Sequence, residues 1–378
     1  MTKNAVEPTH HLIDVDGLNR LIAALNESGH QVIGPTVQDS AVVYAPISGV
    51  ADLPRGVVDR QEPGGYVLEH PGGEALFDHV VGPTSWKRYL FPPQQTLWTA
   101  KRATTGFHVT PAKEDIPRYA FIGARGCDIA AMEIQDRVFM SDTATDPGYH
   151  LRRKKSFVVA IHCGRPAETC FCTSMDCGPR AENGFDLALI ELAEEDRHVF
   201  LVTVGSKQGA ALLETLPVFD ATQADIKTAE ARIQSAANGM DRELIPDAAE
   251  VLAANLECDH WEEVAKRCLN CANCTMVCPT CFCSTVEDVT NLTGDEAWRE
   301  RRWDSCFTLD YSYIHGGNVR QTGASRYRQW ITHKLSHWHD QFGTSGCTGC
   351  GRCITWCPVG IDITEEARAI KNRAGSST

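Results

Sequence analysis

Residues 268–279 read CLNCANCTMVCP, and residues 347–358 read CTGCGRCITWCP. Each is a C-x2-C-x2-C-x3-C run closed by proline. Cys268, Cys271, Cys274 and Cys278 precede Pro279, and Cys347, Cys350, Cys353 and Cys357 precede Pro358. This spacing lets three thiolates curl around one inorganic cluster, while the fourth, at the start of the next element, reaches across to a second cluster. The pair predicts two [4Fe-4S] clusters and therefore one-electron chemistry. Zinc sites usually pair two C-x2-C units or add histidine, and two full runs each closed by C-P favour clusters over zinc.

The chain of 378 residues holds 17 cysteines, an odd number, and it opens MTKNAVEPTH with neither a charged n-region nor an apolar h-region. The expectation is a cytoplasmic protein whose compartment keeps thiols reduced, so that dense cysteine reads as metal ligation and not as disulfides. The length suits two domains, and 43% hydrophobic residues support real cores. No run approaches eighteen consecutive apolar residues, which excludes a spanning helix. A net charge of −13 and a pI near 5.5 argue against nucleic acid or anionic lipid as partners and fit a subunit of a larger complex.

Outward from the two runs, the pattern changes near residue 221. Before it, residues 11–28 carry Leu18, Leu21, Ile22 and Leu25 at helical spacing. The short apolar runs QVIGP, AVVYAPI and GGYVLEHPGG read as strands and turns. Tyr119–Ile122 reads as a buried strand entering a helix over 129–138, and Phe157–Ile161 as a second strand. A helix over 186–195, a strand over 199–204 and a helix over 209–215 follow. The alternation predicts an α/β or α+β domain over residues 1–240. Residues 241–378 read as an all-helical ferredoxin domain, with helices near 246–267, 285–300, 322–338 and 362–372, ending in the short tail AGSST. Sixty-eight residues, 279 to 346, separate the two runs, so this domain must contain an insertion.

Four further cysteines fall in HCGRPAETCFCTSMDCGP, a loop rich in glycine and proline that follows a strand. Such a loop can wrap a third [4Fe-4S] cluster. Cys163, Cys170 and Cys172 are its first three candidate ligands, and Cys127 and Cys177 compete for the fourth place. A set of reduced, partly buried thiols is the alternative, and zinc a lesser one. Cys281, Cys283 and Cys306 lie beside the first run and read as small polarizable side chains packed near a cluster, with a further cluster as the alternative. Cys258 reads as an ordinary helix-face residue.

Other features carry less. Gly123-Ala-Arg-Gly126 lacks the G-x-G-x-x-G spacing and reads as a tight strand-to-helix turn. Gly205-Ser-Lys-Gln-Gly209 is not a P-loop. His333 and His337 sit one helical turn apart and read as a helix face. Arg152–Lys155 reads as a solvated strand end. No motif for bond-making catalysis emerges, so no catalytic residue is assigned.

Beyond the cysteine spacing, whole stretches resemble a known family. VGPTSWKRYLFPP (81–93), FIGARGCDIAAM (121–132), TCFCTSMDCGP (169–179), CLNCANCTMVCPTCFC (268–283), RRWDSC (301–306) and GCTGCGRCITWCPVGIDI (346–363) resemble the β subunit of soluble NAD(P)-linked [NiFe] hydrogenases of the sulfhydrogenase type. The likeness extends to the A subunit of anaerobic sulfite reductase, which stands as the alternative. The resemblance implies an electron-transfer subunit, non-catalytic itself, beside a γ subunit that binds FAD and NAD(P), a [NiFe] large subunit and a small iron–sulfur subunit. It implies one cluster held by Cys268, Cys271, Cys274 and Cys357, and another by Cys347, Cys350, Cys353 and Cys278. Cys127, Cys163, Cys170 and Cys172 match recurrent family cysteines, which leans the third cluster's fourth ligand towards Cys127 over Cys177. The chain shows no flavin or dinucleotide fingerprint, so FAD is expected on a partner.

Overall fold

The computed structural model describes residues 10–112, 115–141, 143–194 and 196–376. Most of the opening MTKNAVEPTH and the last two residues of AGSST lie outside them.

The first half is organised by an eight-stranded mixed sheet. Its order is Phe219–Asp220, His11–Asp14, Arg197–Val204, Leu187–Glu194, Phe157–Ile161, Arg118–Ala124, His30–Gln38 and Ala41–Pro46. The four strands from Leu187–Glu194 to His30–Gln38 are mutually parallel, and the flanking pairs are antiparallel. Parallel strands covered on both faces read as continuous apolar runs. Phe157–Ile161 accordingly sends Phe157, Val159 and Ile161 into one core and Val158 and Ala160 into the other. The helix Val15–Glu27 closes the first of these cores. Asp14 caps it by accepting from Gly17 N–H at 2.7 Å, and Leu18, Leu21, Ile22 and Leu25 form its buried stripe.

Two readings in this half need correction. Residues 187–194, expected as a helix, are a strand. LALIELAE has good helix formers, but it pairs with Phe157–Ile161 on one side and Arg197–Val204 on the other. Burial of Leu187 and Leu189 in the first core, and of Ile190 and Leu192 beside Leu12 and Ile233, overrides propensity. Arg152–Lys155 is not a strand end. It closes the helix Pro147–Lys154, begun by Asp146 accepting from Tyr149 N–H, where cations complement the helix C-terminus.

The second half is not all-helical. Residues expected as a helix over 285–300 form a hairpin, Ser284–Thr290 against Glu296–Trp303. Glu296–Trp303 pairs in turn with Gln94–Arg102, and that strand with Phe107–Pro111, giving a four-stranded sheet with two strands from each half. β-branched Thr285, Val286, Val289 and Thr290 suit a strand. Asn291 shapes the turn, its side-chain oxygen accepting from the N–H groups of Asp295 and Glu296 at 3.2 Å each. The many charges that suggested a helix are tolerated because much of this hairpin is solvent-exposed.

The expected helix over 246–267 is interrupted, giving Ala248–Ala254 and His260–Arg267. The Asn255 carbonyl accepts from Trp261 Nε1–H at the break. The helix from Gly323 runs to Thr332, passes through a π-helical turn at His333–His337 and continues over Trp338–Phe342. Such turns often mark functional positions, and this one carries Lys334. The last helix is Ile363–Ser376. Among the described residues no helix is long and apolar enough to cross a membrane.

Candidate functional site

Cys268, Cys271 and Cys274 line a cleft that two thiols of the second run, Cys353 and Cys357, also border. Leu269, Phe307, Tyr327, Trp330, Val359 and Ile361 make the rest of the wall predominantly apolar. The loop can wrap this tightly because Asn270 and Ala272 adopt left-handed backbone angles, φ 53° and 65°, which turn backbone N–H groups inward. Asn270 N–H points at Cys268 Sγ at 3.4 Å.

The second run repeats the device. Gly349 N–H points at Cys347 Sγ, also at 3.4 Å. Cys347, Cys350 and Cys353 approach Cys278 of the first run closely enough to raise the cost of ionising Cys353. Cys357 thus lies with the first triad and Cys278 near Cys353 of the second, while Cys353 also borders the first triad's space and Cys278 also neighbours Cys274.

Burial pushes several of these thiols up. Cys274 and Cys353 stand well above the usual thiol range, and Cys347 is pushed up to about 12. Packed this way, they stay protonated until a metal supplies the opposing charge. Cys278 goes the other way. A hydrogen bond from the Cys281 thiol lowers it, and the cation of Lys334 adds to the effect. Lys334 Nζ is buried, 3.3 Å from Cys278 Sγ, 2.9 Å from Thr280 Oγ1 and 2.8 Å from the Gly346 carbonyl. Sequence reasoning missed this lysine. The available signal was a lone cation inside the apolar stretch of the helix beginning at Gly323.

The loop after Phe157–Ile161 forms a third gathering. Cys127, Cys170 and Cys172 are buried together with Val80, Val81 and Ala167. Cys163, also buried, lies near enough to Cys170 and Cys172 to oppose their ionisation. Cys127 enters from the first turn of the helix Gly126–Phe139. The buried Arg125 beside it donates to the carbonyls of Phe77 and His79 and lies 3.9 Å from Cys163 Sγ. Cys177 is half-buried, and its thiol donates to the Met175 carbonyl at 3.0 Å. Cys350 of the second run is a close neighbour of Cys127, Cys170, Cys172 and Cys177 alike.

Backbone and side-chain bonds tie this third group to the second run. Phe171 N–H donates to the Gly349 carbonyl at 2.8 Å. Gly349, at φ 65°, could not carry a side chain, because a Cβ would lie 2.5 Å from the Phe171 carbonyl. Thr169 and Thr355 share a hydroxyl hydrogen bond of 2.8 Å. Arg352 Nη2 meets Asp128 Oδ1 at 2.8 Å with both side chains fully buried.

All seventeen cysteines are free thiols. Among the described residues no three His, Cys, Asp or Glu side chains converge as a single metal ion requires. A cluster differs in that each thiolate binds its own iron, so the sulfurs surround a volume. His333, read as part of a helix face, is half-buried, stacked on Trp338 and paired with Gln341.

Thiols of two sequence runs gathered around shared space fit a dicluster iron–sulfur protein, and residues 267–361 match the 4Fe-4S dicluster domain family. The likeness reaches much further along the chain. It is 36% identical over 289 residues to sulfhydrogenase 2 subunit beta of Pyrococcus furiosus, an alignment covering 75% of this chain and 82% of that protein. The chain belongs to the sulfhydrogenase β-subunit family.

Proposed function

We propose that this chain is the iron–sulfur electron-transfer subunit of a cytoplasmic NAD(P)-linked [NiFe] hydrogenase. The observation that carries the reading is the entry of Cys357 into the cavity of Cys268, Cys271 and Cys274, the crossing a two-cluster relay needs. In this reading Cys268, Cys271, Cys274 and Cys357 bind one [4Fe-4S] cluster and Cys347, Cys350, Cys353 and Cys278 the next. Cys163, Cys170, Cys172 and Cys127 bind a third. The engagement of the Cys177 thiol with a carbonyl favours Cys127 as the fourth ligand. Cys350, neighbour to both the second and third groups, makes the order third, second, first a continuous path for single electrons.

Nicotinamides exchange two electrons as hydride, whereas clusters pass one at a time, so a flavin must stand between them. We assign FAD and NAD(P) to a partner γ subunit, and hydrogen chemistry to a [NiFe] large subunit beside a small iron–sulfur subunit. The relative's name, a sulfhydrogenase subunit, supports this complex over a sulfite reductase. Cysteines unpaired by disulfides suit a reducing cytoplasm.

The test is anaerobic native purification of the chain with its partners, followed by replacement of Cys350 with serine. Recovery of a nickel-containing subunit and a flavoprotein, with hydrogen-dependent NAD(P) reduction lost in the variant, is the expected result. Recovery of a sirohaem protein instead, or full activity in an assembled Cys350→Ser complex, overturns the proposal.

A further inference from the structure

The tetrapeptide Thr-Cys-Phe-Cys occurs twice, at 169–172 and at 280–283, followed by Thr-Ser in the first copy and Ser-Thr in the second. The first copy supplies Cys170 and Cys172 to the third group described above. The second lies directly after Pro279, and its cysteines read by sequence as packing, with a further cluster as the alternative. The structure sets them around a space instead. Cys281, Cys283 and Cys306 line one cleft together with Tyr311, His333 and Lys334, and it is roomier than the cleft of the first run.

The local fold builds this convergence. The hairpin Ser284–Thr290 and Glu296–Trp303 returns the chain beside its own start, where Asp304 N–H donates to the Cys283 carbonyl at 2.9 Å. That closure delivers Cys306 to Cys283, and the two thiols share a hydrogen bond to which the Tyr311 hydroxyl adds. The threonine before each Cys-Phe-Cys is buried and anchored. Thr169 bonds Thr355, and Thr280 bonds Lys334 and the Gly346 carbonyl. Three thiols thus face one partly open space.

We propose that Cys281, Cys283 and Cys306 hold a further iron–sulfur cluster through three thiolates, its remaining corner facing Tyr311, Arg320 and His333. The surroundings match an anionic group. Lys334 and Arg320 line the cavity, and Lys87 Nζ donates to the Cys281 carbonyl at 3.1 Å. Trp330 is shared with the cavity of Cys268 and Cys357, and Cys281 bonds Cys278, so the site adjoins both groups of the dicluster domain. With one thiolate fewer, the cluster carries less negative charge and takes its electron at a higher potential than its four-thiolate neighbours. The inference rests on the reading of this chain as a cluster protein and not on the identity of its complex.

The experiment compares iron content and low-temperature EPR of the anaerobically purified full chain with those of Cys283→Ser/Cys306→Ser. The expected result is a loss of about 4 Fe per chain, or about 3 for a [3Fe-4S] form, with one set of signals missing and those dependent on Cys268 and Cys347 retained. Should the double variant not fold, Cys281→Ser alone carries the same readout. Unchanged iron and spectra, or stoichiometric zinc lost in place of iron, overturns the proposal. A parent chain devoid of iron would instead overturn the electron-transfer reading itself.

Discussion

Lys334 Nζ lies 3.3 Å from Cys278 Sγ, deep in the protein and out of contact with solvent. A fixed cation beside a cluster ligand stabilises the reduced, more negative state, and water screens it little at this depth. Replacing Lys334 with methionine keeps most of the volume and removes the charge. One cluster potential is expected to fall by about 60 mV or more, a tenfold change in a one-electron equilibrium, with iron content preserved. EPR-monitored redox titration reads it, and unchanged midpoints would contradict the assignment.

The pair of Asp128 and Arg352 joins the helix carrying Cys127 to the second cysteine run, with neither side chain exposed. Breaking a buried ion pair strands the surviving charge, at a cost of roughly 3–5 kcal/mol. Asp128→Ala is expected to lower thermal stability by that order. Asp128→Leu combined with Arg352→Met should recover part of the loss, because no charge is then left unpaired. A double variant no better than the single would show that the pair acts otherwise.

The crossed ligand sets make an unusual spectroscopic prediction. Cys357→Ser should abolish the same signals as Cys271→Ser, although the two residues belong to different runs, and Cys278→Ser should match Cys350→Ser. If Cys357→Ser instead matches Cys350→Ser, each run wraps its own cluster.

For the third group, Cys170→Ser/Cys172→Ser is expected to lower iron by about 4 per chain. Cys127→Ser should do the same and Cys177→Ser should not, since the latter thiol is tied to the Met175 carbonyl. Iron lost on replacing Cys177 and kept on replacing Cys127 would reverse that choice.

Much of the architecture could be read from local pattern. The stripe Leu18, Leu21, Ile22 and Leu25, the apolar run Phe157–Ile161 and the helix after Gly126 all formed as expected. Failures fell where local preference and burial disagree. LALIELAE carries a helix composition inside a sheet, and the charged residues of 284–303 form a hairpin completed by strands from nearly two hundred residues earlier. No window of sequence contains that pairing.

The sequence by itself determined the chemistry. Two C-x2-C-x2-C-x3-C-P runs in one chain dictate thiolates at cluster spacing, because ligand geometry within a loop is set by the few residues between ligands. Only the tertiary structure decided what gathers beyond those runs. Cys306 joining Cys283 and Lys334 reaching Cys278 both depend on segments brought together by burial of apolar surface, a force without direction along the chain.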